Sequence, residues 1–455
     1  MVNRHFPFLI AAVATICLFF GCTKEEKRLE GALETITTED LAEHVAVLAS
    51  DEFEGRAPAS KGEEKTVNYL KEEFQKLGLK PGNGESYFQE VPMVAITADP
   101  EANLEIQGKN KTHVFRYGDE YMAWTLRVAE EVALEKSDMI FVGYGIIAPE
   151  YNWNDYEGVD VRGKTVVMLV NDPGFATEDP ALFKGKAMTY YGRWTYKFEE
   201  AARQGAAGAF IVHETEPASY PWEVVRNSWS GTNFSLETPD NNMSRCAVEG
   251  WITLETALKI FENANEDFEA RKQASSKRSF KAFPLGLKAS LTLKNRIERS
   301  KSRNVIAVLP GSNRADEYIF YMAHWDHFGK DPSLEGDQIF NGARDNATGT
   351  AALVELAEAF KSLKSRPSRS IDFLAVTGEE QGLLGSKYYA THPIYPLPRS
   401  AAAINMDALN IFGRMKDITI IGYGNSELDH YVEEEAARQG RSMRPDPYPE
   451  RGSFF

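Results

Sequence analysis

Four short stretches of this chain carry the side chains that could do chemistry. They are His324-Trp325-Asp326-His327, the run NGARDNATG over 341–349, the run TGEEQG over 377–382, and Asp407. Together they supply the imidazole of His324 and five carboxylates: Asp326, Asp345, Glu379, Glu380 and Asp407. Each has a bland reading by itself. A His-x-Asp pair is usually just hydrogen-bonded, a Glu-Glu pair is usually a solvated face, and a glycine-framed Asp-Asn is a turn with a helix cap. The joint pattern differs. Unpaired carboxylates brought together repel and raise one another's pKa, so a cluster of five is stable only around cations. Imidazole with carboxylates is a ligand set that suits zinc. A carboxylate shared between two metals, with one more left over, suggests hydrolysis at a two-metal centre.

The elements around these stretches decide whether they meet. Apolar, β-branched runs at 318–323, 371–376 and 401–406 read as strands. Helical spacing over 347–363, with Leu353, Leu356, Phe360 and Leu363 on one stripe, and over 383–390 and 427–439 reads as helices between and after them. Strand-helix alternation with apolar strands predicts an α/β fold, a mostly parallel sheet covered on both faces. Ligands in such folds bind at the carboxyl ends of strands. His324, Thr377–Glu380 and Asp407 each follow a predicted strand directly, and Asp345 opens the helix after the first. Independent surface charges have no reason to fall at consecutive strand ends.

Upstream, Thr37 or Thr38 caps a helix with Leu41, Val45 and Leu48 on one face. The run 51–56 reads as a loop, and Val67, Leu70, Phe74 and Leu77 mark a second helix stopped by Gly78. Strands follow near 88–94 and 103–107. From about residue 137 the texture is that of a small α/β unit: strands at 139–147, 165–171 and 209–213, and a helix at 196–204. The charged run 264–281 reads as a surface connection. These shifts predict a split domain over 37–128 and 290–455, interrupted by an insertion over 129–289.

Composition narrows the classes. In 455 residues, 43% are hydrophobic and 26% charged, which is globular and excludes a disordered or fibrous chain. The length predicts about two or three domains with ample core. With 51 Lys plus Arg against 67 Asp plus Glu, the net charge of −16 argues against nucleic acid as a partner. Arg4, the apolar run 6–20 and Gly21-Cys22 read as a signal peptide over 1–21, too short to span a bilayer comfortably. Two readings remain: ordinary secretion, or a lipoprotein with lipid on Cys22 and a polar tether over 22–36. The stretch resembles a lipobox, with Phe19 where that pattern usually has Leu. This implies a lipid anchor to the membrane via Cys22, in the cell envelope outside the cytoplasm, on a periplasmic or surface face. Thr23, in place of a retaining aspartate, directs the reading to the outer membrane. Cys17 would leave with the signal and Cys22 would be acylated, so Cys246 would stand alone, and the reading excludes an internal disulfide and a cysteine-based zinc site.

In their order, His-x-Asp, Gly-x-x-Asp-Asn-x-x-Gly, Glu-Glu-x-Gly and Asn-x-Asp, the four stretches resemble the M28 zinc peptidases. The resemblance implies an aminopeptidase-type α/β domain with two zinc ions (Zn2+) and a peptide substrate. It implies that His324 and Asp407 bind one zinc, that Glu380 binds the other, and that Asp345 bridges both. Asp326 would orient the His324 ring, and Glu379 would be the general base. The run 48–56 is similar to the loop leading into these sites, and residues 138–213 resemble a protease-associated (PA) domain. Two departures stand out. The family's final metal-binding His has no match before Phe455, since His430 and His392 lie in other contexts and His327 reads as structural or substrate-side. The expectation is therefore a reading frame incomplete at its C-terminus. Arg344 stands where relatives commonly have an acid. Other readings are an M20-type zinc carboxypeptidase or deacylase, a glutaminyl cyclase on the same fold, and a non-catalytic envelope binding protein. The oligomeric state is left open.

Overall fold

Thr37 accepts a hydrogen bond from the Asp40 amide and so caps helix α1, Thr38–Leu48, whose first turn carries Glu39 and Asp40. Ser60 does the same for α2, Lys61–Lys76, through the amides of Gly62 and Glu63. The buried stripe of α2 is Val67, Leu70 and Phe74, as its spacing predicts. Between them the run Asp51–Arg56, expected as a loop, is a 3-10 turn that buries Phe53 and Arg56. The structure is a computed structural model and describes residues 29–99, 103–424 and 426–448. The expected signal peptide 1–21 and Cys22 lie outside the described residues. Among those described, no helix is long and apolar enough to cross a membrane.

The chain divides into two units. One comprises the chain up to Met93 with Ser300–Ile411, the other Val94–Arg299 with the chain from Phe412. The second unit holds β1, Tyr121–Trp124, β2, Glu131–Phe141, and β3, Thr165–Leu169. Helix α3, Trp194–Arg203, leads to β4, Gly208–His213, which is followed by β5, Val248–Thr253, and α4, Leu254–Asn263. Strands β2, β3, β4 and β5 lie side by side and parallel, and β1 closes the row antiparallel to β5. Every residue of β3 and β4 is buried, the mark of strands covered on both faces. Within 264–281 the expected surface connection is instead a helix, α5, Phe268–Ser275, capped by Asp267. Its charges face outward, while Phe268 packs edge-on against Phe261 with ring centroids 5.0 Å apart. Residues 94–128 fall in this unit rather than in the split domain, because the strand Asn103–Gln107 pairs with residues 288–290. Cys246 is buried and free, and burial pushes its thiol pKa up, so it is a poor nucleophile.

The first unit holds the residues of interest. Its sheet uses the end of β6, Phe283–Leu309, with β7, Arg314–His324, β8, Arg369–Val376, and β9, Ser400–Asn405. Strand β7 lies parallel to both β8 and β9, and β6 runs antiparallel to β8. Helix α6, Thr348–Ser362, lies between β7 and β8 in sequence, and α7, Leu384–Thr391, between β8 and β9. Side chains of β8 alternate between two cores. Ile371, Phe373 and Ala375 join Phe74 of α2 and Leu353 and Ala357 of α6 on one face. Leu374 and Val376 join Phe320 and Tyr389 of α7 on the other. Asp372 falls on this second face, fully buried, and neither carboxylate oxygen has a hydrogen-bond partner among the described residues. Burial raises its pKa to about 8.

Candidate metal centre

The register of the sheet gathers the site. His324 at the end of β7 lies opposite Val376 at the end of β8, and Met322 lies opposite Asn405 at the end of β9. Asp326, the 377–380 turn and Asp407 therefore leave the same edge. Asp345 joins them from the turn Ala343–Ala347 that opens α6; its peptide bond to Asn346 is cis.

His324 sits at the middle, 2% exposed. Its Nε2 is 3.1 Å from Asp345 Oδ1, 3.4 Å from Asp407 Oδ1 and 3.9 Å from Glu379 Oε2. Its Nδ1 is 3.1 Å from the Asp326 carbonyl oxygen. A carbonyl only accepts, so Nδ1 carries a proton, and it is in the neutral ring that Nε2 presents its lone pair. That atom is buried and has no hydrogen-bond partner among the described residues. Two sets of donors close within metal-binding reach of it: His324, Asp345 and Asp407, and His324, Glu379 and Glu380. An orphaned imidazole nitrogen facing carboxylates fits a zinc ion.

The electrostatics point the same way. Burial raises the Glu379 pKa to about 7, with Asp326, Glu380 and Asp407 adding to the rise against the opposing pull of His324. Burial likewise lifts Asp326 to about 6. Burial alone would lower the His324 pKa, but Asp326, Glu379, Asp407 and Asp345 outweigh it and raise it. These carboxylates destabilise one another's charged forms, and a divalent cation among them relieves that.

Asp326 meets the site through both its side chain and its backbone. Its carboxylate accepts the amides of Glu379 at 3.1 Å and Glu380 at 3.4 Å, and stands 3.8 Å from the His324 Nδ1. Its side chain therefore fastens the Glu-Glu turn, while its backbone carbonyl orients the ring.

Several residues outside the set of candidate ligands and base support the site. Asn346 Nδ2 donates to the Met406 carbonyl, and its Oδ1 accepts from the Gly349 and Ala408 amides. It thus grips the chain on both sides of Asp407. A Cβ on Gly349 would lie 2.4 Å from Asn346 Oδ1 and 2.5 Å from the Met406 oxygen, so only glycine leaves room for this bracket. Thr350 Oγ1 donates to the His324 carbonyl at 2.7 Å. His327 Nδ1 is 2.6 Å from Glu380 Oε1, which ties this imidazole to a candidate ligand. Arg56 is buried against four carbonyls of the site loops. Arg344, the departure noted above, is exposed. Asn346→Ala is expected to release Asp407 and weaken zinc binding about 10- to 100-fold, the usual cost of losing a group that orients a ligand. Competition against a chelating dye measures this; unchanged affinity would remove Asn346 from the support of the site.

Among curated proteins, aminopeptidase YwaD of Bacillus subtilis (strain 168) is 33% identical over 249 residues, 54% of this chain and 44% of that protein. The protein named Probable zinc metalloprotease from Pyrenophora teres f. teres (strain 0-1) is 39% identical over 104 residues, 23% of this chain and 22% of its own length. The chain spans less than half the length of the curated relatives it matches. Among solved structures, an aminopeptidase from Aneurinibacillus sp. strain AM-1 superposes with a TM-score of 0.48 at 18% identity, covering 92% of this chain and 82% of that one. The family model matched is that of peptidase family M28, and it covers residues 304–455, the stretch that carries His324, Asp326, Asp345, Glu379, Glu380 and Asp407.

Proposed function

We propose that the chain is a zinc-dependent exopeptidase that removes N-terminal residues from peptides, using two zinc ions. The observation that carries this reading is the bare, buried Nε2 of His324 between Asp345 and Asp407. His324, Asp345 and Asp407 would hold one ion, and Asp345 with Glu380 would hold the other. When bound, the zinc pair supplies Lewis acidity to the scissile carbonyl and to the attacking water. Glu379 takes the water proton on its carboxylate and passes it to the leaving amine. The peptide C–N bond breaks, and the hydroxyl of the water stays on the new carboxyl group. Asp326 holds the Glu379–Glu380 turn through its amides, so the base and its neighbouring ligand move as one piece. Asn346 keeps Asp407 beside His324.

A chelator-stripped sample tested on aminoacyl, N-acylated and C-terminal peptide substrates decides the matter. Hydrolysis is expected to vanish on stripping, to return with added zinc, and to require a free α-amine. Turnover of N-acylated or C-terminal substrates instead would favour a carboxypeptidase or deacylase. Zinc binding with no hydrolysis of any peptide would favour a binding protein.

A further inference from the structure

Arg56 is the one guanidinium among the largest fully buried side chains of the described residues, 1% exposed. Its Nε donates to the Trp325 carbonyl at 2.9 Å. Its Nη1 donates to the carbonyls of Leu48 at 2.7 Å and Asn341 at 2.6 Å, and its Nη2 to that of Gly342 at 2.8 Å. In return the Arg56 carbonyl accepts from the His327 amide. The fork thus joins the loop after β7, which carries Asp326 next to His324, to the loop that leads into Asp345. The approach is built for it: Gly342 has φ 56°, and a Cβ there would stand 2.6 Å from Arg56 Nη2.

None of the four acceptors is a carboxylate. A buried charge is normally paired directly, because desolvation is expensive. Here the anions that act on the guanidinium do so at longer range, and they are Asp326, Asp345 and Glu380 of the candidate centre. A charge in a poorly polarisable interior is felt over such distances.

We propose that Arg56 is a positioning residue and the resident cation of the metal centre, offsetting the repulsion among its carboxylates whenever zinc is not bound. The inference rests on the zinc reading above. Once zinc neutralises the carboxylates, Arg56 faces little net negative charge, and its electrostatic contribution falls. Zinc and Arg56 therefore substitute for one another in part. By linkage, removing the arginine charge makes zinc matter more to stability.

The test compares Arg56→Lys with Arg56→Gln in the full chain. Both break the four-carbonyl fork, and only Lys keeps the charge. Melting temperatures are measured with chelator and with zinc, and zinc affinity by competition against a chelating dye. Both variants are expected to melt below the unsubstituted protein. Zinc should raise the melting temperature of the Gln variant by several degrees more than that of the Lys variant, and should bind it about tenfold more tightly. A Gln variant that folds only with zinc, beside a Lys variant that folds without it, supports the proposal equally. Equal zinc-induced shifts, or a larger shift for Lys, overturn it, because then only the fork matters. Failure of both variants to fold with or without zinc overturns it for the same reason. Absence of zinc binding by the unsubstituted protein is a different result and removes the zinc reading itself.

Discussion

Replacing Glu379 with Gln is expected to leave zinc in place and to cut peptide hydrolysis about a thousandfold, within the range set by loss of a positioned general base. The two acids of the 377–382 turn sit in different surroundings. Glu380 is fastened by His327 through a 2.6 Å hydrogen bond, which suits a ligand that must not move. Glu379 reaches toward His324 Nε2 at 3.9 Å, and burial raises its pKa to about 7, in the range that suits a general base. The amide of Gln keeps nearly the same shape and cannot take that proton. Glu380→Gln should differ in kind, losing metal along with activity. Metal content by mass spectrometry beside kcat/KM separates the two. A Glu379→Gln protein that turns over peptides at the full rate would end the base assignment.

The second large effect belongs to a residue with no part in the chemistry. Asp372 is buried on β8 with both carboxylate oxygens unpartnered, and burial raises its pKa to about 8. In the unfolded chain it titrates near 3.9. Between about pH 4 and pH 8 the folded protein therefore holds a proton that the unfolded chain has released. The sign follows: stability is fully present at low pH and falls as pH rises, by up to tenfold in the folding equilibrium per pH unit, until it levels off above about pH 8. Asp372→Asn removes that proton dependence. The variant should match the parent near pH 4 and melt well above it at pH 8. The upper bound is about four powers of ten in the equilibrium, reduced by any local rearrangement that hydrates the carboxylate. Melting curves across that range, read as the difference between the two proteins, isolate the group. A difference that stays constant with pH would mean that Asp372 is already ionised in the folded state.

What the sequence showed of this site, and what it hid, follows from which atoms are involved. The strand ends were legible, because the period of the apolar runs and the polar stretches that follow them are properties of side-chain types. That made the α/β alternation and the meeting of His324, Asp345, Glu379, Glu380 and Asp407 foreseeable. Arg56 was not, since its partners are backbone carbonyls, three of them 269 to 286 positions away, and any residue type offers those. The two halves of Asp326 were hidden for the same reason: its carbonyl and its carboxylate serve different neighbours. Helix α5 was missed because outward charges dominate its composition, and only Phe268 and Ser275 are buried. The unit boundary moved because Asn103–Gln107 finds its partner strand at 288–290, a pairing that no local pattern announces.

The long reach of Arg56 also sets a schedule for biosynthesis. On a ribosome adding about 5–20 residues per second, the arginine emerges roughly 14 to 57 s before the last of its acceptors, Gly342, has been made. Throughout that interval Val94–Arg299, the larger part of the second unit, is extruded, while α1, α2 and Arg56 wait for β7 and the loop beyond it. The centre therefore closes late, by the return of an early segment onto a late one. Codon choice or chaperone supply over residues 94–299 would then govern how much of the newly made chain reaches an assembled centre.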